Sequence, residues 1–465
     1  MAGIGFQLER IARNGGVGGF VSAAFHGAIV SCGPWIVTIC AVSLLQIWTA
    51  QHTTLWDRTV IQTVMVYSFS ASVVIAAPFA LVGARLVSDL MFADNRKAVP
   101  SVVVTMLDWA TVTSLAAGFL LFGVLAGLQA GPVLLAMAIL TLLTQVAVIG
   151  PFLTATTRPG PILLGYTGGI AAAVVIILAI GASGLMPILL TVVLAVAVTV
   201  LIILRAIKAE FPAAPSWQKF PSGEIRRVMH VGVAGLANAL ALWVDKWLLW
   251  WSPGGTQIVG HLRINAIYDP ASFLGLLTLI PGLSLMLIMA ETRLERTFSR
   301  FSETCTGTAK LSHIEDARQE VVATVLRHLR LLIVLQMVLA TIFWVLAPEI
   351  FALLGYDARG IFAFRFTVVG VIFHLIVIYA TVVLSYFDLF GRILLIWLVF
   401  IATSALGTIK FWDLGFAGYG WGYLAGAIAA ALTSLTLLGN AVVQLTYLMF
   451  VGNNPSVAGE VRYWI

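Results

Sequence analysis

The sequence predicts an all-α polytopic membrane protein with about 12 transmembrane helices, arranged as two six-helix bundles around a central cavity. The chain has 465 residues, of which 60% are hydrophobic and only 10% are charged, whereas roughly 25% of the residues in a soluble domain are charged. Its 42 glycines and 16 prolines are spread through apolar runs that are long enough to cross a bilayer core of about 30 Å. These observations exclude an ordinary soluble enzyme.

The long apolar runs are predicted to be helices, because the bilayer interior holds no water to pair with an open backbone. A span needs about 20 predominantly apolar residues. Twelve stretches meet this requirement, at 20–48, 59–84, 101–129, 132–156, 161–181, 185–204, 228–251, 264–290, 329–347, 364–387, 393–410 and 422–450. Before the first span, residues 3–13 carry apolar side chains at helical spacing, which is typical of a short amphipathic helix on the membrane surface.

The positions of the basic residues predict the orientation of the chain. If both termini are cytoplasmic, 20 of the 26 Lys and Arg residues fall in cytoplasmic segments, as the positive-inside rule requires. The net charge of +6 suits contact with anionic membrane lipid and does not indicate a nucleic-acid partner. We therefore expect a multi-pass membrane protein with both termini in the cytoplasm.

The spans fall into two groups of six on either side of a proline-containing linker, as in a duplicated transporter. This grouping predicts an N-terminal bundle, a cytoplasmic linker and a C-terminal bundle, at 1–204, 205–227 and 228–465. The C-terminal bundle includes a charged cytoplasmic loop, 291–328, and the pattern from Glu315 to Arg330 predicts a surface helix there.

Charged residues inside the predicted spans are candidates for a functional site, because each costs about 2.5–3.5 kcal/mol to insert. Asp245, Lys246 and Asp269 are expected at similar depth on consecutive helices. Neighbouring helical residues point about 100° apart, so Lys246 can meet Asp269 across the helix pair while Asp245 faces elsewhere. Two interpretations remain open: an ion pair that fixes two helices, or polar groups that line a substrate or proton path. Tyr268 and Arg365 would extend such a lining.

Two further ionisable residues lie in apolar runs. Asp108, in the third predicted span, is a candidate path residue because a carboxylate in a membrane helix requires an explanation. His374, in the tenth span, is either a hydrogen-bonded core residue or part of a proton path.

Proline interrupts two of the predicted helices near mid-depth, at Gly33–Pro34 and at Pro281–Gly282. Each proline frees carbonyl groups that are tolerable only against protein or a wet cavity. Each pair is expected to be either a packing kink or a hinge for gating.

The motifs of several catalytic classes are missing from the sequence. It contains no P-loop pattern, no H-E-x-x-H, no G-x-S-x-G and no paired Cys and His cluster. We therefore predict no catalytic residues, no metal site and no cofactor, and the remaining classes are a conduit or a carrier.

Several short motifs carry a family resemblance when they are taken in order. They are MAGIGF at 1–6, SCGPW at 31–35, WVDKW at 243–247, YDPASFLG at 268–275, IPGLS at 280–284, ETRLERTF at 291–298, LSYFDL at 384–389 and GFAGYGWGYLAGA at 415–427. Together they resemble the inner-membrane transporter family of the Pel exopolysaccharide system, its G component, over nearly the whole chain.

That resemblance implies a member of the multidrug/oligosaccharidyl-lipid/polysaccharide exporter superfamily in the bacterial inner membrane. It implies export of a growing, N-acetylgalactosamine-rich biofilm polysaccharide to the periplasm. It also implies three partners: a cytosolic glycosyltransferase, a membrane cyclic-di-GMP receptor and a tetratricopeptide membrane protein. It assigns no catalytic residues to this chain.

Three other functions remain open at this point. The same fold could serve as a flippase for a lipid-linked oligosaccharide, or as a proton- or sodium-coupled antiporter, since fold does not settle substrate. An intramembrane acyltransferase using His374 would need a second polar group at the depth of that residue, and the sequence offers no compelling one.

Overall fold

The computed structural model confirms the all-α membrane fold. It describes residues 48–49, 51–154, 160–181, 183–215 and 222–452. Within these ranges, eleven helical stretches are long and apolar enough to cross a membrane, and they correspond to the second through twelfth predicted spans. The first predicted span, the amphipathic segment 3–13 and the Gly33–Pro34 pair lie outside the described residues, apart from the last residue of that span.

The described residues form two compact units, and the first contains the chain up to Ala239 together with Thr256–Ile264. Its helices pack around apolar side chains that include Met106, Ile149, Phe152 and Ile203. In chain order they are α1 (Leu55–Phe92), α2 (Val99–Gly118, continued by a π-turn at Phe119–Leu125), α3 (Ala130–Thr154), α4 (Gly160–Ile180), α5 (Leu185–Glu210) and the first part of α6 (Ser222–Trp251).

The second unit contains Leu240–Gly255 and the described residues from Asn265 onward. After the end of α6 its helices are α7 (Tyr268–Leu277), α8 (Ile280–Met289), α9 (Glu295–Thr306), α10 (Leu311–Val345), α11 (Ala347–Leu354), α12 (Gly360–Tyr386), α13 (Phe390–Phe411) and α14 (Trp421–Val443). A π-turn at Ala290–Leu294 joins α8 to α9, and one core cluster centres on the fully buried Tyr268 and Val368.

A short β-hairpin between α6 and α7 was not predicted. Its strands, β1 (Thr256–Val259) and β2 (Leu262–Ile264), pair antiparallel. Gly260 turns between them with φ +54°, and a Cβ there would lie 2.4 Å from the Ala126 carbonyl oxygen. His261 donates its backbone N–H to the Leu125 carbonyl at 2.7 Å. The hairpin therefore closes over the end of the π-turn that follows α2.

Two predicted connections are more helical than expected. The 291–328 segment consists of most of the π-turn, α9 and the first half of α10, and only 307–310 lie outside helices. Residues 315–330 are helical as predicted, but they continue directly into a span and do not form a separate surface helix. In the 205–227 linker, α5 runs to Glu210 and α6 begins at Ser222.

Close packing between α13 and α14 depends on small residues. Gly422 and Gly426 are spaced one turn apart on α14, and Cβ atoms there would lie 2.0 Å from Thr408 Oγ1 and 2.8 Å from Ser404 Cβ. Without a hydrophobic force between helices in lipid, small residues of this kind let two backbones approach and gain van der Waals contact.

This packing predicts opposite effects for two alanine substitutions on α14. Gly426→Ala would also bring its Cβ within 3.0 Å of the Phe400 carbonyl oxygen, and such overpacking costs about 1–3 kcal/mol. Gly439 has nothing within 4 Å of an added Cβ, so Gly439→Ala should stabilise the protein by about 0.4–1 kcal/mol. Thermal unfolding in detergent measures both changes. Equal shifts of Tm in the two variants would contradict this packing.

Candidate functional site

Asp245 and Lys246 form a buried ion pair on α6. Their side chains are 1% and 6% exposed, and Lys246 Nζ lies 3.2 Å from Asp245 Oδ1. The ammonium also donates to the Leu242 carbonyl at 3.0 Å. The predicted pairing of Lys246 with Asp269 is therefore wrong. Helical side chains lean toward the N-terminus of their helix, and the long Lys246 side chain folds back far enough to meet the carboxylate of its own neighbour.

Two tyrosines enclose this ion pair. Tyr268, at the start of α7, donates its hydroxyl to Asp245 Oδ2. Lys246 Nζ lies 5.8 Å from the ring centroids of both Tyr268 and Tyr423, within the range of a cation–π interaction. Both tyrosines are fully buried. The ammonium is thus stabilised by a carboxylate, a carbonyl and two aromatic rings.

Tyr423 connects the ion pair to His374. The Tyr423 hydroxyl and His374 Nδ1 share a hydrogen bond of 2.8 Å, and the imidazole lies 5.8 Å from the ring of Trp397 and 5.2 Å from that of Phe400. Gly370 provides the space for Tyr423, because a Cβ there would lie 2.6 Å from Tyr423 Cε1. His374 is therefore a hydrogen-bonded core histidine that reaches the ion pair through one tyrosine.

Asp269 has other partners. Its Oδ2 accepts from the indole N–H of Trp250 at 2.9 Å and from the Asn265 backbone N–H at 3.1 Å. The Asn265 side chain caps the first turn of α7 by accepting from the Tyr268 backbone N–H at 2.9 Å. Asp269 Oδ1 and Asn265 Nδ2 are buried and have no hydrogen-bond partner among the described residues.

The remaining predicted residues lie apart from this polar cluster. Asp108 is half-buried on α2, in the first unit. Arg365 is half-buried on α12, where it donates to the Trp344 carbonyl at 3.2 Å and covers the Trp344 ring. Pro281 and Gly282 lie in the first turn of α8, and the helix break itself falls at 278–279.

Sequence reasoning missed three residues of the cluster: Tyr423, Trp250 and Asn265. Tyr423 lies in the glycine-rich stretch at 415–427, but its role depends on a distant glycine, Gly370. Asn265 precedes a helix, and Asn side chains in such positions often accept backbone N–H groups of the residues that follow, so this signal could have been recognised from the sequence.

The cluster joins groups from α6, α7, α12 and α14 into one buried network of hydrogen bonds and ring contacts. Within the described residues, no group of three or more His, Cys, Asp or Glu side chains is arranged to hold a metal ion. The network holds the Lys246 ammonium against the Asp245 carboxylate, away from water.

Solved structures show what this fold is similar to. A MOP superfamily transporter from Pyrococcus furiosus matches with a TM-score of 0.64 and 14% identity, over 90% of this chain and 96% of that one. A MATE family multidrug transporter in an outward-facing conformation matches at 0.64 and 14%, over 91% and 96%. The inward-facing conformation of such a transporter matches at 0.59 and 15%, over 87% and 94%. The chain therefore has the fold of these transporters.

Sequence comparison identifies the family. No curated protein sequence matches the chain. A sequence profile matches residues 1–450, and its description is "PelG: Putative exopolysaccharide Exporter (EPS-E)". The match covers all eleven spans of the described residues, and it confirms the resemblance carried by the short motifs. This multi-pass membrane protein belongs to the PelG family of exopolysaccharide exporters.

Proposed function

We propose that this protein moves a growing, N-acetylgalactosamine-rich exopolysaccharide from a cytosolic glycosyltransferase across the bacterial inner membrane to the periplasm, with both of its termini in the cytoplasm. The observation that carries the proposal is the match to the exopolysaccharide exporter family over residues 1–450. The transporter fold supports it, because that fold supplies a membrane conduit. The aminosugar and the direction of transport rest on the resemblance to the Pel system.

The segment 291–328 and the linker 205–227 are the proposed docking surfaces for the glycosyltransferase. Between α9 and α10 lies a cleft of about 600 Å³, lined by charged residues that include Arg300, Glu303, Asp316 and Glu320. Arg300 Nη1 and Glu320 Oε2 are 3.3 Å apart across it. Exposed charges of both signs provide specific contacts to a soluble protein without an apolar patch. The cyclic-di-GMP receptor and the tetratricopeptide protein are proposed as further partners.

We assign the buried cluster around Lys246 to the translocation path, together with Asp108 and Arg365. A well-packed apolar replacement of a buried ion pair is often neutral or stabilising, so stability alone gives little reason to keep Asp245 and Lys246. Both side chains are sealed from solvent in the present arrangement, so the assignment requires the surrounding helices to separate during transport.

Transport can be tested directly in inverted inner-membrane vesicles. The glycosyltransferase and UDP-activated N-acetylgalactosamine are added outside, and the fraction of polymer protected from an added glycoside hydrolase is measured. We expect protected polymer only in vesicles that contain the protein. Polymer that forms but stays accessible would contradict export. Protection that requires an isoprenoid carrier would indicate a flippase, and cation-driven drug uptake without protection would indicate an antiporter.

A second prediction concerns the docking cleft. Replacing Glu303, Asp316 and Glu320 with their neutral amides should remove co-purification of the glycosyltransferase, because the charged contacts across the cleft are lost. Glu349→Gln, at an exposed acidic residue of α11, is the control and should leave co-purification unchanged. Normal recovery of the glycosyltransferase with the triple variant would show that docking occurs elsewhere.

A third prediction separates the two interpretations of the ion pair. Asp245→Asn leaves Lys246 buried without a counter-charge, which costs roughly 3–5 kcal/mol, so the amount of folded protein should fall. Adding Lys246→Met should restore that amount. If the pair belongs to the path, polymer export per folded molecule should stay about tenfold or more below wild type in the double variant. Recovery of both quantities would show that the pair only fixes the helices.

The matched control is an exposed ion pair outside the spans. Arg359 Nη2 lies 2.6 Å from Asp357 Oδ2. Hydrogen bonding by Arg359 lowers the pKa of Asp357 to about 2, so this pair is also charged at neutral pH. Asp357→Asn with Arg359→Met should change neither protein amount nor export, since an exposed ion pair contributes little to stability.

A further inference from the structure

The stretch from Tyr268 to Thr306 is broken at two places. The first break, at 278–279, separates α7 from α8, and the second is the π-turn Ala290–Leu294 between α8 and α9. Breaks of this kind free backbone groups that must find new partners inside a membrane protein. At the first break a side chain from a neighbouring helix donates to a freed carbonyl. At the second, a tyrosine hydroxyl donates to the Ala290 carbonyl, which also accepts the Glu295 backbone N–H.

The first break has a chemical cause one turn later in the sequence. Pro281 has no N–H to donate to the Leu277 carbonyl, and its ring crowds that carbonyl. The backbone forms a tighter turn instead. The Thr278 and Leu279 N–H groups donate to the carbonyls of the residues three positions earlier, Gly275 and Leu276, at 3.2 and 3.0 Å. The predicted interruption at Pro281–Gly282 is therefore displaced toward the preceding turn.

Gln336 of α10 holds this break. Its Nε2 donates to the Thr278 carbonyl at 3.0 Å. In an unbroken helix that carbonyl would accept from the Gly282 N–H. Gln336 is fully buried, and its Oε1 has no partner among the described residues. A Cβ on Gly282 would lie 2.8 Å from that oxygen, so the amide and the first turn of α8 are in close contact.

The Gln336 amide is therefore only half-satisfied in this arrangement. An orphaned buried acceptor carries a desolvation cost, which offsets much of what the bond to Thr278 contributes. If this segment closes into a continuous, proline-kinked helix, the Thr278 carbonyl regains the Gly282 N–H as a donor and the Gln336 amide is released. Pro281 thus sets where the break falls, and Gln336 holds it in its present form.

Tyr386 of α12 holds the second break. Its hydroxyl donates to the Ala290 carbonyl, at the start of the π-turn, at 3.3 Å. Phe298 on α9 packs its ring against those of Tyr386 and Phe387, with centroids 5.7 and 5.5 Å away. A π-turn carries an extra residue in the helix and often marks a functional site.

We propose that α8 is a rigid ten-residue segment jointed at both ends, and that Gln336 and Tyr386 are positioning residues that hold the joints in the present form. Release of either hydrogen bond lets α8 and α9 move as a lever against α10 and α12. Because the joints absorb backbone changes over a few residues, they fit the hinge type of domain motion. This proposal does not depend on which molecule is transported.

The test uses Cys305, near the end of α9, as a spin-label site in the full-length protein. Cys32 and Cys40 are replaced by Ser, and a second label is placed at Leu353→Cys on α11, where the native side chain is 86% exposed. A reference pair joins Leu353→Cys to Val443→Cys on α14, with Cys305→Ser. Distance distributions are measured in detergent and in lipid, without polymer or glycosyltransferase.

We expect Gln336→Leu to shift the 305–353 distance distribution and to leave the 353–443 distribution unchanged. The matched control is Gln145→Leu on α3, because Gln145 also donates a single side-chain hydrogen bond, at 3.1 Å to Thr111, but not to a freed helix carbonyl. It should change neither distribution. The proposal is overturned if Gln336→Leu leaves both distributions as the control does, or if it shifts both.

Tyr386→Phe gives a second, milder variant in case Gln336→Leu does not fold. It removes one hydroxyl and keeps the ring that packs on Phe298, so the protein should retain its thermal stability to within a few degrees. We expect the 305–353 distribution to shift or broaden while the 353–443 distribution stays the same. An unchanged 305–353 distribution in Tyr386→Phe would overturn the assignment of the second joint. Loss of export with both distributions unchanged would count against the lever as well.

Discussion

The buried ammonium of Lys246 is the constraint on which much of the second unit depends. A charge inside a bilayer-spanning bundle must be neutralised and hydrogen-bonded, because the cost of leaving it unpaired exceeds that of most single interactions. Asp245, the preceding residue on α6, supplies the counter-charge, and Leu242 supplies a carbonyl. The rest of the enclosure comes from other helices, so the position of this one atom fixes how α7 and α14 approach α6.

Each enclosing residue brings its own requirement. Tyr268 reaches Asp245 from the first turn of α7, where its backbone N–H is held by the Asn265 side chain. Tyr423 can lie under the ammonium only because Gly370 leaves room for its ring, and His374 then fixes the direction of the phenol hydroxyl. In a buried polar network each residue positions the next one, so leaving some of its hydrogen bonds unmade has a high free-energy cost. The cluster therefore determines one packing of four helices, which apolar side chains alone would specify less well.

The sequence predicts the spans well because membrane thickness sets their length, and only a helix satisfies the backbone of a long apolar run. It predicts the site less well. Helix geometry predicts that Lys246 and Asp245 point in different directions. The four methylene groups of Lys246 nevertheless let its ammonium reach the Asp245 carboxylate. The break before Pro281 falls a turn early because proline acts on the carbonyl four residues before it. Tyr423 could not be recognised at all, since only tertiary packing brings it to Gly370 and Lys246.

Helix α7 connects the two polar features of the second unit. Its first turn is anchored by the Asn265 cap, by the bond from Tyr268 to Asp245 and by the bond from Trp250 to Asp269. Its last turn ends at the joint that Gln336 holds. A ten-residue helix transmits a rotation of one end to the other, because its backbone hydrogen bonds resist bending. If the ion pair changes partners during transport, the first turn of α7 is released and the joint at its other end moves with it. Lys246 and Gln336 thus act on opposite ends of the same rigid helix, α7. A change in the partners of the charged cluster would therefore be transmitted through α7 to α8 and α9.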